Sequence, residues 1–120
     1  MSAATVLVVD DERGMRETVA EILESVGYEV TTASTGDDAL VRLQQQEFDV
    51  VLMDIRMPGR DGISVLQEIG GPPPPVVVMT AYAVEDQLKA AVDAQSFAVV
   101  HKPVPPAYLL DLVARAAAAA

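Results

Sequence analysis

The chain has no cysteine among its 120 residues. Without cysteine, neither a disulfide framework nor a thiolate metal site can form, and nothing indicates an oxidising compartment. No apolar run approaches the roughly 20 residues that a transmembrane helix needs, and the first four residues lack the basic and apolar regions of a signal peptide. We therefore expect a cytoplasmic protein that does not enter a membrane.

Basic residues are also scarce, because 8 lysines and arginines stand against 18 aspartates and glutamates, for a formal net charge of −10. A chain of this charge repels the phosphates of nucleic acids instead of releasing their counterions, so direct nucleic-acid binding is not expected. The acidity is either a means of solubility or a sign that some carboxylates share a cation site.

The length and the hydrophobic content of 51% allow one core and are too small for two domains of ordinary size. We expect a single domain over residues 1–120, with an ordered core over about 4–116. The alanine-rich end extends the last helix by propensity or begins a linker. The domain either acts alone or forms the N-terminal part of a longer protein.

Five segments have the composition of β-strands, and the polypeptide between them has the periodicity of helices. The predicted strands are Thr5 to Val9, Glu29 to Ala33, Val50 to Met53, Val76 to Met79 and Ala98 to Val100. Apart from the second, they are almost continuously apolar, which is typical of parallel strands buried on both faces.

Five helices are predicted from apolar residues at helical spacing. The clearest is Met15 to Val26, which stops at Gly27, a residue suited to the position after a helix. The others centre on Ala39, Leu40 and Leu43; Ile63, Leu66 and Ile69; Leu88, Ala91 and Val92; and Leu109, Leu112, Val113 and Ala116. Gly70 to Pro75 is predicted to be an extended loop. This alternation predicts an α/β fold, a doubly wound (βα)₅ sandwich with a parallel sheet and helices on both faces. We take the strand order to be 2-1-3-4-5, one of the common orders of such flavodoxin-like sheets, in which the first and third strands flank the point where the order reverses.

Polar side chains stand at the ends of the predicted strands. Asp10 and Asp11 follow the first strand, and Asp54, Thr80 and Lys102 come at the ends of the third, fourth and fifth. The carboxyl ends of parallel strands share one edge of the sheet, where ligands bind in such folds. Carboxylates that converge there repel one another unless they hold a cation, and an all-oxygen site suits Mg²⁺. A carboxylate can then act as the nucleophile that accepts a phosphoryl group, while the cation and a lysine neutralise its charge.

Four motifs resemble the receiver domains of bacterial response regulators over essentially the whole chain. They are VLVVDDE at Val6 to Glu12, LMDIRMPGRDG at Leu52 to Gly62, MTAY at Met79 to Tyr82, and the Lys102-Pro103 pair. Each motif alone is weakly specific, but the four in this order, each at a strand end, are highly specific. The resemblance implies a flavodoxin-like fold.

The resemblance also implies roles for the site residues. Asp54 is expected to be the phospho-acceptor, Asp11 to bind Mg²⁺ directly, and Asp10 to do so mainly through water. The backbone carbonyl of Arg56 is expected to be a further ligand, and Mn²⁺ can substitute for Mg²⁺. Lys102 is expected to bridge Asp54 and the phosphoryl group.

Further residues are implied to take part in switching or gating. Thr80 is expected to move toward the phosphoryl group, Ala81 to leave room for it, and Pro103 to follow a cis peptide bond. Tyr82 is either a loop aromatic or a gate beside the phosphate, and with Arg56 it is expected to slow hydrolysis by shielding the acyl phosphate from water.

The sequence departs from the family pattern in the fifth strand. Many receivers carry an aromatic residue three positions before the lysine, where this chain has Val99, so the usual aromatic switch is in doubt. Phe97 lies on the same strand face by the period of two, and one hypothesis is that it takes over part of that packing.

The function implied is a signalling switch, not a metabolic enzyme: the domain catalyses only its own phosphorylation and dephosphorylation. A histidine kinase or phosphotransfer protein is the expected donor. The output partner or attached output domain is expected to contact the face of the fourth helix, fifth strand and fifth helix, and homodimerisation is left open. The alternative is a pseudo-receiver that binds proteins without phosphorylation. An aspartate phosphatase of the haloacid-dehalogenase kind is set aside, because it would need Asp-x-Asp where this chain has Asp10-Asp11-Glu12.

Overall fold

The computed structural model describes residues 3–54, 65, 68, 74–80 and 98–119. Within these residues lie five strands and three helices. The strands are β1 (Thr5–Val9), β2 (Glu29–Ala33), β3 (Val50–Asp54), β4 (Val76–Thr80) and β5 (Ala98–His101). The helices are α1 (Arg13–Ser25), α2 (Gly36–Gln45) and α3 (Pro106–Ala119). Of the predicted third helix, only Val65 and Glu68 are described, and both are helical. The predicted fourth helix and most of the proline-rich loop lie outside the described residues.

The strands form one sheet in the order β2-β1-β3-β4-β5, and every pair is parallel. This is the predicted order, with the reversal of strand order between β1 and β3. The prediction of a doubly wound α/β sheet is therefore confirmed. The site at the carboxyl edge of the sheet has these two neighbouring strands at its centre.

Two apolar layers cover the sheet, because alternate residues of each buried strand point to opposite faces. On one face, Leu7 and Val51 belong to a cluster that includes Ala39 of α2. On the other face, Val8 belongs to a cluster that includes Leu23 of α1 together with α3 residues. Strands β1, β3 and β4 are buried almost throughout. The edge strands β2 and β5 are only partly covered, which follows from their position.

Helix α1 ends through a Schellman-type arrangement. The backbone N–H of Gly27 donates to the carbonyl oxygen of Glu24, and that of Tyr28 donates to Leu23. Gly27 has a φ of 100°, a conformation that favours glycine. The helix begins at Arg13, two residues before the predicted Met15, because hydrogen bonding starts before the first core-facing residue.

Helix α3 buries the four residues that its apolar spacing predicts: Leu109, Leu112, Val113 and Ala116. They pack on the same face of the sheet as α1. Across the described part of the chain, no helix is long and apolar enough to cross a membrane.

Candidate functional site

Polar residues stand at or directly after the carboxyl ends of three neighbouring strands, at one edge of the sheet. Val9 of β1 pairs with Met53 of β3, so the residues that follow, Asp10 and Asp54, leave the two strands side by side. Thr80 ends β4, the next strand along. All three polar residues are buried. The convergence that their positions in the sequence predict is therefore present in the fold.

Lys102 is the residue that follows β5, and its side chain extends to this edge of the sheet. Its Nζ lies 2.8 Å from Oδ2 of Asp10 and 3.0 Å from Oδ2 of Asp54, and its side chain is only 10% exposed. Its backbone N–H donates to the carbonyl oxygen of Thr80 at 2.8 Å. Burial by itself would lower the pKa of Lys102, but the hydrogen bonds and charges of the two aspartates outweigh burial and raise it. Lys102 is thus a fixed cation between two buried carboxylates.

Asp10, Asp11 and Asp54 offer carboxylate oxygens that all lie within 4.8 Å of one another. Asp10 and Asp54 are buried, whereas Asp11 is exposed. In the described residues, the Lys102 ammonium contacts two of these three carboxylates, those of Asp10 and Asp54. Three oxygen donors of this kind, one of them open to water, fit a hard divalent cation that retains part of its hydration shell.

Asp10 is held by hydrogen bonds on every side. Its N–H donates to the carbonyl oxygen of Ala33 (3.1 Å), and its carbonyl oxygen accepts from Nη1 of Arg16 (2.8 Å). Its Oδ1 accepts from the backbone N–H of Glu12 (3.0 Å), and its Oδ2 accepts from Lys102 (2.8 Å). By contrast, no hydrogen bond or ion pair of the Asp11 side chain is present among the described residues. Asp11 is therefore the carboxylate best able to bind a cation directly.

Two contributors to the site were missed by sequence reasoning. Glu12 acts through its backbone N–H and Arg16 acts on a backbone carbonyl, so neither shows as a pattern of side chains. The contact of Lys102 with Asp10 was also not expected, because only the bridge to Asp54 was predicted. The presence of Arg16 six residues after Asp10 was the one available signal, and it is weak without a fold.

Several predicted site residues lie outside the described part of the chain. They are Arg56, Ala81, Tyr82 and Phe97. The expected metal contact of the Arg56 carbonyl, the shielding by Arg56 and Tyr82, and the packing of Phe97 therefore stay predictions.

The remaining predicted residues of the β5 region are described. Val99 is half-buried and packs against the apolar cluster on the α2 face. The peptide bond between Lys102 and Pro103 is cis, as expected from the resemblance. His101 ends β5 and is exposed.

The chain was compared with known protein families and with curated relatives. The family model of the response regulator receiver domain matches residues 6–114. A response regulator receiver protein of Anaeromyxobacter sp. (strain Fw109-5) is 39% identical over 108 residues, which are 88% of this chain and 45% of that protein. The response regulator protein FleR of Pseudomonas aeruginosa is 38% identical over 94% of this chain and 24% of its own length. The chain thus spans less than half the length of these relatives.

Solved structures give the same relationship at the level of the fold. The receiver domain protein of Methanospirillum hungatei JF-1 superposes with a TM-score of 0.92 at 28% identity, covering 98% of this chain and 96% of that chain. A receiver domain protein of Clostridium thermocellum gives a TM-score of 0.88 at 30% identity, covering 97% and 95%. In these two cases the similarity extends over nearly the whole of both chains.

Proposed function

The chain belongs to the response regulator receiver domain family, and from this premise we propose that Asp54 accepts a phosphoryl group from a histidine kinase or phosphotransfer protein. The observation that carries the proposal is the cluster at the carboxyl edge of the sheet. There Asp54 lies with Asp10 and Asp11 within 4.8 Å and pairs with Lys102 at 3.0 Å.

Asp54 is the best placed nucleophile of the three carboxylates. It ends β3, which pairs with β1 on one side and with β4 on the other. The groups that would take part in the transfer therefore surround it: Asp10 and Asp11, which would hold the cation, lie on the β1 side, and Thr80, a hydrogen-bond donor, lies on the β4 side.

In the proposed step, a carboxylate oxygen of Asp54 forms a bond to the phosphorus of the donor. The bond from phosphorus to the donor histidine nitrogen breaks, and its electron pair stays on the departing imidazole. The Lys102 ammonium neutralises charge on the transferring phosphoryl oxygens, and the Thr80 hydroxyl donates to one of them. Asp10, Asp11 and Asp54 would hold Mg²⁺, or Mn²⁺ in its place, which supplies further positive charge to those oxygens when bound.

The product is an acyl phosphate on the protein itself, so the domain works as a switch. A hydrogen bond from Thr80 to the phosphoryl group would pull the end of β4, and Lys102 couples that end to β5 through the carbonyl oxygen of Thr80. The expected consequence is a shift between two conformations that changes the face formed by the predicted fourth helix, β5 and α3. An output partner or an attached output domain would contact that face.

The test is intact mass measurement after incubation with acetyl phosphate or phosphoramidate, with and without Mg²⁺, on the wild-type chain and on Asp54→Asn. We expect one phosphoryl adduct on the wild type, dependent on Mg²⁺ and absent from the variant. The matched control is Asp49→Asn, since Asp49 lies outside the cluster and bonds Thr5 at the far end of β1; it should still take the adduct. A wild-type chain that stays unmodified with either donor would contradict the proposal and leave the pseudo-receiver as the reading to pursue.

A further inference from the structure

We infer that Arg16 is a positioning residue of the cation site, acting through the main chain of Asp10. The inference rests on the proposed role of Asp10, Asp11 and Asp54 in binding Mg²⁺. Arg16 lies in the first turn of α1, and its Nη1 donates to the carbonyl oxygen of Asp10 at 2.8 Å. Arg16 thus contacts the site without offering a ligand to it.

The carbonyl oxygen of Asp10 is buried and needs a hydrogen-bond donor from the protein. Asp10 has no exposed surface, so water cannot satisfy its main chain directly, and β1 has already ended at Val9. A buried carbonyl without a donor is unfavourable. The Arg16 guanidinium supplies a charge-assisted bond at this point, which fixes the peptide that joins Asp10 to Asp11.

Three hydrogen bonds close a ring around Asp11. The backbone N–H of Arg16 donates to the carbonyl oxygen of Glu12 at 3.0 Å, and the backbone N–H of Glu12 donates to Oδ1 of Asp10 at 3.0 Å. The bond from Arg16 to the Asp10 carbonyl completes the ring. Asp11 lies in the bend that this ring encloses, and its side chain has no partner among the described residues. The ring is therefore what holds Asp11 in place, because its own carboxylate does not.

Several glutamates lie near Arg16, but its guanidinium donates to the carbonyl oxygen of Asp10. It lines a cleft between α1 and β2 of about 290 Å³, together with Glu17, Glu21 and Glu24. No ion pair joins Arg16 to any of these glutamates in the described part of the chain. Its side chain is directed toward the end of β1, which is the arrangement expected of a residue that orders the β1–α1 turn.

The test compares Arg16→Met with Arg13→Met. Methionine keeps an apolar stem and removes every side-chain donor. Arg13 is a matched control because it lies on the same helix, is largely exposed and pairs with Glu17. The dissociation constant for Mg²⁺ is measured by amide chemical shifts of the folded protein, and the free energy of unfolding is measured by urea in EDTA. We expect Arg16→Met to weaken Mg²⁺ binding roughly tenfold or more, as other supporting residues of metal sites do. Arg13→Met should stay within about twofold of wild type, because it removes the same charge without touching the ring.

Rescue separates positioning from a merely structural role. Arg16→Lys keeps one charged donor and should recover most of the lost Mg²⁺ affinity. A structural role alone would lower the free energy of unfolding and leave the dissociation constant of the folded protein unchanged, so equal constants for Arg16→Met and Arg13→Met would overturn the inference. If Arg16→Met does not fold, Arg16→Gln takes its place, with an expected loss of about threefold because a neutral amide donates more weakly and with the same overturning result.

The outcome is distinguishable from failure of the proposed function. A wild-type chain that binds Mg²⁺ more tightly than Arg16→Met but takes no phosphoryl group supports the inference and contradicts the phosphorylation proposal. If the wild-type chain is phosphorylated and Arg16→Met leaves Mg²⁺ binding unchanged, the phosphorylation proposal is supported and the inference about Arg16 is contradicted. A wild-type chain with no measurable Mg²⁺ binding overturns both.

Discussion

At the scale of single residues, the site gathers three carboxylates within 4.8 Å of one another. Lys102 contacts Asp10 and Asp54, whereas the exposed carboxylate of Asp11 is unpaired in the described part of the chain. Like charges at this separation repel, so the Asp11 carboxylate disfavours folding to the extent that Lys102 does not offset the repulsion. A divalent cation bound at Asp11 would relieve that repulsion, which favours its binding.

The first prediction concerns Asp11→Asn, which removes one charge from the cluster and keeps a side chain of similar size. In EDTA, the free energy of unfolding is expected to rise by about 1 kcal/mol, the size of one such repulsion when it is screened as in water, because Asp11 is exposed. Added Mg²⁺ should stabilise the wild type by about 2.7 kcal/mol at a hundred times its dissociation constant, and the variant much less. Urea unfolding with EDTA and with Mg²⁺ measures both differences.

Glu47→Gln is the control for this prediction, since Glu47 is an exposed residue of the loop before β3 and the change removes the same charge. Its unfolding should respond to Mg²⁺ as the wild type does. If Asp11→Asn lowers stability in EDTA, or gains as much from Mg²⁺ as the wild type, the view of Asp11 as a repelled cation ligand is wrong.

Sequence reasoning located the residues of the site but not the network that supports them. Asp10, Asp54 and Thr80 could be placed because each interrupts an apolar run where a strand ends. Arg16 could not, because its partner is a backbone carbonyl, and every residue has one. The same applies to Glu12, whose backbone N–H and not its carboxylate binds Asp10. Interactions with the main chain become visible only when the fold is known.

At the scale of the elements, α1 shows how backbone conformation is encoded by glycine. Gly14 lies in the first turn of this helix and Gly27 lies just beyond its last residue, and a Cβ atom built on either would meet no atom within 4 Å. Of these two glycines, only Gly27 has a positive φ, 100°. Any difference between alanine substitutions at the two positions therefore reports backbone conformation and not crowding.

The second prediction follows from this pair. Gly27→Ala should lower the free energy of unfolding by about 1–2 kcal/mol, because an L-residue is strained in the left-handed region. Gly14→Ala should raise it by about 0.5–1 kcal/mol, because alanine favours the helical backbone that Gly14 already adopts. Urea unfolding of the two variants beside the wild type gives the comparison. Changes of the same sign at both positions would show that helix α1 does not end through the Gly27 conformation.

Strand boundaries were predictable to within one residue, and the differences have a common cause. The sequence assigns Val50 to Met53 to a strand, and the structure continues β3 to Asp54; likewise β4 continues to Thr80. Backbone pairing does not depend on whether a side chain is apolar, so a strand extends into its first polar residue. That residue is where the chemistry of the site lies, so the boundary and the site coincide.

At the scale of the whole molecule, the order of the strands accounts for the position of the site. β1 and β3 are neighbours although β2 lies between them in the sequence, so Asp10 and Asp54 meet across a gap of more than forty residues. A hydrophobic pattern alone predicts five buried strands but not which are adjacent. The order came from the strict alternation of strands and helices and from the family resemblance, and the structure confirms it.

The last prediction concerns the net charge of −10 on this chain. Some relatives are longer, and one that is 36% identical over 97% of this chain is named a DNA-binding transcriptional regulator, NtrC of Salmonella typhimurium, of which this chain covers 25%. The acidic receiver region should not itself bind DNA, because it has few cations to displace the counterions of the phosphates. Fluorescence anisotropy of a labelled duplex at low salt should show no binding up to roughly 10⁻⁴ M protein, the weak limit of ordinary non-specific binding. Phosphorylation adds further negative charge, so a titration of the phosphorylated protein should also show no binding. Binding that weakens steeply as salt is raised would contradict this prediction, because it would show that the receiver region itself binds the phosphates of DNA.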